Sequence, residues 1–455
     1  MKKDKDSLLH VEYLENRQLL SISNDSLSAS QWSIASTSLN EAWNYSTGNK
    51  NVVIATIDSG MDLNHEDLKN NVWKNYGEIE NDGIDNDNNG FIDDINGWNF
   101  IDDNNNVQDY YGHGTHVAGI IGAEGNNNLG VAGVNWNVSI MPLKMIDNAG
   151  VGHTYAAIKA IDYLVKMKLE HGVNIVAVNN SWGGTLGFSD STFAAMQKLN
   201  DAQILSVCAA GNSGSNSDIT PRYPSSYNVD NIIAVASISS SNTLSTFSNY
   251  GKSSVDVAAP GGGILSTFLN NTYRYLNGTS MAAPFIAGTI GLIKSIKPDI
   301  SMSDIKSAII DSADQIYSMA DKLLGGKINV SSAIKHALGL PYTKIIESQP
   351  APVIVVVPDQ ASIQLKLVNT GRIAGSINYT VKSGTGIMVK IYVNNRVVYA
   401  QKSVSNVSSE SQLHNFNIKP KLAWFRRGHN RVRIEVYNMS NELLAATNTL
   451  AYRRK

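Results

Sequence analysis

Cysteines, charged residues and long apolar runs are scarce in this sequence. Each scarcity limits the disulfides, partners or membrane segments that the chain can have. One cysteine in 455 residues, Cys208, excludes a disulfide within the chain. Charged residues make up 17% of the sequence and the formal net charge is −2, so the whole-chain charge gives no indication of a nucleic-acid partner, and none is expected. In the C-terminal part the longest apolar run is Val353–Val357, far shorter than the roughly 20 residues of a membrane-crossing helix. No transmembrane segment is therefore expected.

The charge is nevertheless divided unevenly along the chain. Residues 341–455 carry 16 Lys and Arg against 5 Asp and Glu, a net charge of +11, which leaves −13 for residues 1–340. The basic part binds an anionic partner, attracts the acidic part, or has an unrelated solvated surface.

Between residues 31 and 340, short apolar runs alternate with amphipathic segments. This alternation predicts an α/β domain with a doubly wound, mostly parallel sheet and helices on both faces. The predicted strands are Val52–Ile57, Ser139–Met145, Ile175–Asn180, Ile204–Ala209 and Ile232–Ala236. The predicted helices are Thr154–Glu170, Ser191–Asp201, Ser280–Ile296 and Ser303–Ala313. An insertion over residues 70–109 interrupts the pattern with ten acidic residues and one lysine.

The C-terminal part has a different pattern. Residues 341–358 contain four prolines and are predicted to form a linker. Residues 359–455 contain about seven short alternating segments separated by turn residues, which predicts an all-β sandwich domain. Four arginines between residues 426 and 433 give this domain a basic face for a cell surface or an anionic polymer. A solvated sandwich edge is the alternative explanation for these arginines.

Three motifs in the first part indicate catalysis. Asp-Ser-Gly begins at Asp58, Gly-His-Gly-Thr-His surrounds His113, and Gly-Thr-Ser-Met-Ala-Ala-Pro surrounds Ser280. Acyl transfer through a serine needs a base that accepts the serine proton and an acid that orients the base. The chain order Asp, His, Ser matches the subtilisin arrangement and differs from the chymotrypsin and α/β-hydrolase orders.

On these motifs and a fourth, Ala-Ala-Gly-Asn at residues 209–212, the chain resembles the subtilisin-like serine proteases (subtilases, peptidase S8) over roughly residues 31–340. The resemblance implies a subtilisin-like fold and a serine endopeptidase that works through an acyl-enzyme. It implies that Asp58 orients His113, that His113 is the general base and acid, and that Ser280 is the nucleophile. It also implies that the side-chain amide of Asn212 and the backbone N–H of Ser280 bind the oxyanion.

The resemblance also locates the substrate, which is a protein or peptide. Subtilases bind an extended peptide as an added strand between two backbone segments. The implied substrate residues are Gly150, Val151 and Gly152 on one side, Ser181, Trp182 and Gly183 on the other, and Ala209, Ala210 and Gly211 along the pocket before the scissile bond. These segments contain no charged residue, so an apolar or broad preference is expected. Trp182 is alternatively a packing residue.

The acidic insertion contains a calcium-binding pattern. Acids or amides occupy positions 1, 3, 5 and 9 of the segment that starts at Asp85, and glycine occupies position 6, as in the first part of an EF-hand loop. The twelfth position holds Asn96 in place of Glu. The predicted Ca²⁺ ligands are Asp85, Asp87, Asn89, Asp93 and the carbonyl oxygen of Phe91. A solvated acidic turn is the alternative.

The resemblance implies a second, structural calcium site. Asp67, nine residues after Asp58, matches an acid that binds calcium in many subtilases, and residues 124–131 match the loop that completes that site. The implied ligands are Asp67, Asn127 and the carbonyl oxygens of Leu129 and Val131. Calcium that binds only the folded chain stabilises it by mass action.

The expected protein is therefore a calcium-stabilised, monomeric endopeptidase that is secreted or lies at the cell surface. Residues 1–30 are predicted to be an export or leader-like segment, because Glu12–Ser21 is similar to a short motif that opens many exported bacterial proteins. Three other functions stay open: a catalytically silent binding protein with the same fold, a ligase or cyclase that passes the acyl group to an amine, and an attachment protein whose main role lies in the β-sandwich.

Overall fold

The computed structural model describes residues 22–183 and 187–347 with their side chains and, beyond residue 352, the backbone of the strands. The chain divides into two compact units, Met1–Ile346 and Glu347–Lys455. The leader-like motif predicted within residues 1–21 lies outside the described residues, as do the side chains of the basic face predicted in the C-terminal part.

Seven strands of the first unit form one parallel sheet. They are β1 (Gly48–Asp58), β2 (Trp98–Asn99), β3 (Asn137–Lys144), β4 (Ile175–Asn180), β5 (Leu205–Ala209), β6 (Ile232–Ile238) and β7 (Val257–Pro260). Their spatial order is β2-β3-β1-β4-β5-β6-β7, and every neighbouring pair is parallel. All residues of β4 and β6 are buried, as expected for a parallel sheet covered by helices on both faces. The strand order reverses around β1, which makes this strand the topological switch point.

Eight α-helices are described in the first unit. They are α1 (Trp32–Ser36), α2 (Leu39–Ala42), α3 (His113–Gly122), α4 (Thr154–Leu169), α5 (Asp190–Asp201), α6 (Thr279–Ile296), α7 (Met302–Asp311) and α8 (Val330–Ala337). Ser189, Ser301 and Asn329 precede α5, α7 and α8, and each side chain accepts a hydrogen bond from a backbone N–H in the first turn. These N-caps satisfy donors that have no partner within the helix and so fix where the helices begin.

The helix α6 passes through the core of the first unit. Its glycines allow close packing: a Cβ atom on Gly291 would lie 2.8 Å from a methyl of Ile54 in β1, and one on Gly288 would lie 2.6 Å from Val134. Among the described residues α6 alone is long and apolar enough to cross a membrane, with a mean hydropathy of 1.3, yet 78% of it is buried inside the unit. The absence of a transmembrane segment stays a prediction.

Four strands described in the first unit were not predicted from the sequence: the two-residue β2, β7, and the hairpin of β8 (Ile264–Phe268) and β9 (Thr272–Leu276). No residue of β9 is buried, so it has no apolar run of the kind that marks the buried strands of the parallel sheet. The turn of the hairpin contains Asn270 and Asn271, both with positive φ, which is typical of tight hairpins.

The second unit contains two antiparallel sheets. Its strands are β10 (Val353–Val355), β11 (Ala361–Val368), β12 (Arg372–Tyr379), β13 (Ile387–Val393), β14 (Arg396–Ser403), β15 (Gln412–Ile418), β16 (Gly428–Asn438), β17 (Leu443–Ala446) and β18 (Leu450–Arg454). One sheet has the order β10-β11-β12-β15, and the other has the order β14-β13-β16-β17, with β18 also paired to β16. The seven predicted segments each overlap one of these strands, and their packing as a sandwich stays a prediction.

Candidate active site

The predicted catalytic residues lie at the carboxyl edge of the parallel sheet. Asp58 is the last residue of β1, and Asn212 follows the end of β5 by three residues. His113 is the first residue of α3, and Ser280 is the second residue of α6. Strands end and helices begin at this edge, so side chains from distant parts of the sequence meet there.

Asp58 and His113 are in direct contact. Nδ1 of His113 lies 2.8 Å from Oδ1 of Asp58, which is fully buried, while 21% of the His113 side chain stays exposed. Burial alone would lower the pKa of His113, but the charge and hydrogen bond of Asp58, with a contribution from Asp109, outweigh it and raise that pKa. Because a carboxylate only accepts, Nδ1 carries the proton, and Nε2 is left for a second partner.

Ser280 is held in place by Ser181 at the end of β4. Pro284 has no N–H, so within α6 the carbonyl of Ser280 lacks its usual donor four residues further on. The Ser181 hydroxyl donates to that carbonyl at 2.7 Å, and the Ser280 hydroxyl donates to the carbonyl of Ser181 at 3.0 Å. The proline therefore lets the end of β4 bind the first turn of α6.

Asn212 has one defined orientation. Its Oδ1 accepts hydrogen bonds from the backbone N–H of Thr279 at 2.8 Å and from the Thr279 hydroxyl at 3.0 Å. An N–H can only donate, so the amide oxygen must face Thr279 and the amide nitrogen must point elsewhere. A Cβ atom on Gly278 would lie 3.5 Å from that nitrogen. The Nδ2 donor of Asn212 is thus directed beside the first turn of α6, next to Ser280.

Asn249, which the sequence analysis did not single out, holds the loop that carries Asn212. Its side chain is fully buried, and its Nδ2 donates to the carbonyl of Ala210 at 2.8 Å. Its Oδ1 accepts hydrogen bonds from two backbone N–H groups just after Asn212, at 3.0 and 3.1 Å. Gly211 has a φ of +104°, and a Cβ atom there would lie 2.5 Å from Nδ2 of Asn249. No local motif marks Asn249, because its partners are distant in sequence.

A cleft of about 610 Å³ opens beside His113. Glycine backbone and mostly apolar or aromatic side chains line it, among them Tyr111, Met145, Ile146, Gly150, Gly152, Ser181, Trp182, Gly183, Tyr223 and Pro224. Val151 is 53% exposed between Gly150 and Gly152, whereas Ala209 and Ala210 are buried at the end of β5. Trp182 both lines the cleft and packs against the core, and its indole N–H donates to the side chain of Asn180 at 3.0 Å.

The acidic insertion folds so that its carboxylates accept backbone hydrogen bonds. The two oxygens of Asp85 accept from the N–H groups of Asn89 and Gly90 at 2.9 and 2.8 Å, and Gly90 has a φ of +92°. The two oxygens of Asp93 accept from the N–H groups of residues 82 and 83 at 3.2 and 3.1 Å. The N–H of Phe91 donates to the side chain of Asn89 at 2.8 Å. The carboxylates and amides of the predicted calcium pattern thus organise one compact loop.

Three carboxylates converge within the insertion. Oxygen atoms of Glu78, Asp87 and Asp94 all lie within 4.8 Å of one another. Asp87 was among the predicted ligands, whereas Glu78 and Asp94 fall outside the positions used for that prediction. Burial, with a smaller contribution from the charge of Asp87, raises the pKa of Asp94 to about 6 even though the hydroxyl of Tyr163 donates to it. The cluster therefore carries negative charge that is poorly solvated.

Asp67 lies beside the loop of residues 124–131. Its Oδ1 accepts from the side-chain amide of Asn127 at 2.8 Å, and its Oδ2 accepts from the N–H of Val131 at 2.9 Å. The N–H of Leu129 donates to Oδ1 of Asn127 at 2.7 Å.

Asp25 binds the same loop, with its oxygens 2.9 and 2.8 Å from the N–H groups of residues 127 and 126. Burial, together with the charge of Asp25, raises the pKa of Asp67 to about 7. The sequence analysis missed Asp25, which precedes the predicted domain boundary at residue 31.

Comparisons with known proteins point to one family. Residues 49–337 match peptidase S8, described as the subtilase family. Thermitase from Thermoactinomyces vulgaris is 36% identical over 296 residues, which cover 65% of this chain and 92% of thermitase. Subtilisin-like protease 1 from Plasmodium berghei (strain Anka) is 35% identical over 345 residues, which cover 71% of this chain and 56% of that protein. A solved structure of a protease from Pseudoalteromonas arctica has a TM-score of 0.57 and 26% identity, with 69% of this chain and 99% of that chain covered.

The chain belongs to the subtilase family of serine proteases. The predicted family and the doubly wound α/β fold are thereby confirmed. The family match lies within the first unit, and the chain spans about half the length of the Plasmodium berghei relative, 56%.

Proposed function

We propose that this chain is an endopeptidase that hydrolyses peptide bonds through Asp58, His113 and Ser280, with Asn212 in the oxyanion hole. The observation that carries the proposal is the 2.8 Å contact between Asp58 and Nδ1 of His113. This contact lies at the sheet edge where α6 begins with Ser280. A buried carboxylate on one ring nitrogen prepares the other nitrogen to act as a base. A catalytically silent binding protein would have no need of this arrangement.

Acylation begins with a change of hydrogen-bond partner at Ser280. The hydroxyl proton of Ser280 turns from the carbonyl of Ser181 to Nε2 of His113, while Oγ attacks the scissile carbonyl carbon. Asp58 stabilises the imidazolium that forms. Nδ2 of Asn212 and the N–H of Ser280 donate to the oxyanion, and the contacts of Asn212 with Thr279 orient the amide before the substrate arrives.

The second half of the reaction reverses the proton transfers. His113 gives its proton to the leaving amine, which departs and leaves an acyl group on Ser280. A water molecule then attacks the acyl carbonyl as His113 accepts a proton from it, and the oxyanion returns to the same donors. Collapse of the intermediate frees the carboxylic acid, and the proton returns from His113 to Ser280. The net reaction is hydrolysis of one peptide bond.

The proposed substrate is an extended protein or peptide segment. Its backbone would pair with residues 150–152 and 181–183, where glycines permit close approach. The side chains of Met145, Ile146, Trp182 and Tyr223 line the cleft between these segments, which favours apolar residues on the amino side of the scissile bond. Residues 209–211 would form the wall next to the bond that is cleaved.

We propose that Ca²⁺ occupies two sites in the first unit and stabilises its fold. The donor sets consist of carboxylate, amide and carbonyl oxygens, which suit Ca²⁺. The raised pKa values of Asp94 and Asp67, about 6 and about 7, mark buried acids that a bound cation would compensate. One set is Glu78, Asp85, Asp87, Asn89, Phe91, Asp93 and Asp94, and the other is Asp25, Asp67, Asn127, Leu129 and Val131. The chemistry of peptide hydrolysis remains with the chain's own residues.

The rest of the chain supports a proposal about location. Residues 1–30 would direct export, and residues 341–358 would link the catalytic domain of residues 31–340 to a β-sandwich of residues 359–455. The net charge of +11 in residues 341–455 suits binding to an anionic polymer or a cell surface. We propose a secreted or surface-bound monomer on this basis.

The activity is tested with a casein substrate and a fluorogenic peptide. Wild type should cleave both, and Ser280→Ala should lose at least about 10⁴-fold in kcat/KM because the nucleophile is removed, while its thermal unfolding changes only by the loss of one hydrogen bond to Ser181. Ser295→Ala is the matched control, since this serine lies at the far end of the same helix. It should retain activity. A folded wild type without hydrolysis, or an active Ser280→Ala, would contradict the proposal.

The calcium proposal is tested by unfolding in the presence and absence of excess EGTA. Chelation should lower the free energy of unfolding by about 2.7 kcal/mol if calcium had been present at about 100 times its Kd. Asp67→Asn and Asp87→Asn should each reduce this difference. Asp162→Asn, at an exposed acid paired with Lys198, is the control and should leave it unchanged. Identical unfolding curves for wild type with and without EGTA would reject the calcium sites.

A further inference from the structure

A lysine is buried beside Asp58 at the catalytic edge of the sheet. Lys144 is the last residue of β3, and the register of the parallel pair places it opposite Asp58. It is only 2% exposed, and its Nζ donates to the backbone carbonyl of Ser59 at 2.6 Å. Burying an ammonium group costs free energy unless hydrogen bonds and opposite charges compensate for it. Hydrogen bonds and negative charges around Lys144 must therefore offset the cost of burying its ammonium group.

Ser59 connects Lys144 to both members of the Asp58–His113 pair. Its N–H donates to Oδ1 of Asp58 at 2.7 Å. Its hydroxyl accepts from the N–H of Gly114, the residue after His113, at 2.8 Å. One residue thus contacts the acid, the first turn of α3 and the buried ammonium group. A shift of Ser59 would change how the acid and the imidazole face each other.

Two buried carboxylates act on His113, Asp58 by direct contact and Asp109 through its charge. Asp58 comes from β1, and its Oδ2 has no hydrogen-bond partner among the residues that the structure describes. Asp109 comes from the segment before α3, is 1% exposed, and accepts from the N–H groups of Gly112 and Thr115 at 2.8 and 2.9 Å. Both carboxylates favour the protonated form of His113, and both raise its pKa.

Among the titratable groups described around His113, Lys144 supplies the positive charge. On α3, His116 is buried with a pKa lowered to about 4, which makes it neutral at pH 7. Tyr111 lines the same cleft as His113. Burial lowers the pKa of Lys144, and four carboxylates oppose that lowering: Asp109, Asp102, Asp147 and Asp58.

We propose that Lys144 is a positioning residue of the active site, which fixes the peptide group after Asp58 and whose charge offsets the two carboxylates that act on His113. The inference rests on the proposed function, in which His113 is the general base. It gives Lys144, at the end of β3, a role in catalysis, although none of the sequence motifs includes this residue. The lysine does not touch the substrate, so it acts through Ser59 and through its charge.

The test is the pH dependence of kcat/KM for peptide hydrolysis. In Lys144→Met the acid limb should move to higher pH by on the order of one unit, because Asp58 and Asp109 then act on His113 without the offsetting charge. Lys144→Gln, which keeps a donor for Ser59 without the charge, should show the same shift with a smaller loss at the plateau. Lys144→Arg should restore the acid limb to its wild-type position.

Lys327→Met is the matched control, because Lys327 is also a buried lysine. Its Nζ contacts the carbonyl of Ser36 at 2.7 Å and the carboxylate of Asp314 at 3.3 Å, so the variant should lose stability but keep the wild-type acid limb. An unmoved limb in folded Lys144→Met or Lys144→Gln, or a displaced limb in Lys144→Arg, overturns the inference. Should Lys144→Met not fold, the Gln and Arg variants still decide. Absence of hydrolysis by wild type would overturn the proposed function instead.

Discussion

Two histidines lie one turn apart on α3 and meet opposite environments. His113 faces the buried carboxylate of Asp58 and opens to the cleft, so its pKa is raised. His116 is fully buried, and its Nε2 lies 3.1 and 3.0 Å from the carbonyl oxygens of Ile264 and Arg274 in the β8–β9 hairpin. Burial lowers its pKa to about 4. The same side chain is thus prepared as a base in one place and as a neutral donor in the other, and the surroundings decide which.

The largest effect should come from removing the imidazole that faces Asp58. His113→Ala should lower kcat/KM by at least about 10⁴-fold, because no group remains to accept the serine proton. Its thermal unfolding should stay close to that of wild type, since the side chain is partly exposed. Peptide hydrolysis and calorimetry on the same preparation measure both quantities. Activity within tenfold of wild type in this variant would contradict the role of His113 as the general base.

Changing the acid should alter both the rate and the pH profile. Asp58→Asn should lower kcat/KM by about 10³–10⁴-fold, because the imidazole loses its orientation and the imidazolium loses its counter-charge. Without the carboxylate, the pKa of His113 falls, so the acid limb should move to lower pH. In wild type that limb should lie above about 6.5, the usual value for histidine. A limb that stays in place in Asp58→Asn would show that another group raises the pKa of His113.

Removing the ionisable ring at position 116 should change stability and its pH dependence. The pKa of His116 is about 4 in the folded chain and about 6.5 in the unfolded chain. Between these values the unfolded chain binds more protons, so stability falls as the pH decreases, by on the order of 3 kcal/mol in total. His116→Gln, which keeps a side-chain donor, should abolish this part of the decline. Urea unfolding at pH 7 and pH 4.5 gives the comparison, and equal declines in both proteins would refute it.

The smallest effect should come from the strand that packs against His116. The hydroxyl of Thr267 in β8 donates to the carbonyl of Thr115 at 2.8 Å, and a Cβ atom on Gly119 would lie 2.1 Å from that hydroxyl oxygen. Thr267→Val should cost about 1 kcal/mol of stability, because one buried carbonyl loses its donor. Its kcat/KM should stay within about threefold of wild type. A loss of activity without a loss of stability would contradict this prediction, because it would show that the residues packed against His116 affect catalysis.

The sequence predicts a residue of this site when that residue lies in a short motif, and misses it when its role depends on contacts with distant segments. Asp58, His113, Asn212 and Ser280 each lie in a short motif, and the structure places all four at one edge of the sheet. Their assigned roles remain predictions. Asn249, Asp25 and Lys144 have no motif, because each works through contacts with segments that are distant in sequence. Chain-distant contacts of this kind become visible only when the fold is known.

The fold could be predicted where burial leaves a periodic pattern. Ile175–Asn180 is a wholly buried strand and was predicted with its exact bounds, whereas β1 begins at Gly48, four residues earlier than predicted. Residues 49–51 are exposed, so their polar side chains concealed the start of the strand. The sequence of the acidic insertion predicts a cation site, which stays a prediction, whereas the meeting of Glu78 with Asp87 and Asp94 depends on the tertiary fold of the insertion.

The assignment of Ser280 as the nucleophile is tested most sharply by labelling with a fluorophosphonate, followed by peptide mass spectrometry to locate the modified residue. An activated serine reacts with this probe, whereas an ordinary surface serine does not. We expect wild type to be modified at Ser280, and we expect neither Ser280→Ala nor His113→Ala to be labelled at a comparable rate. Folded, calcium-loaded wild type that stays unlabelled, or that is labelled at another residue, would contradict the assignment of Ser280 as the nucleophile.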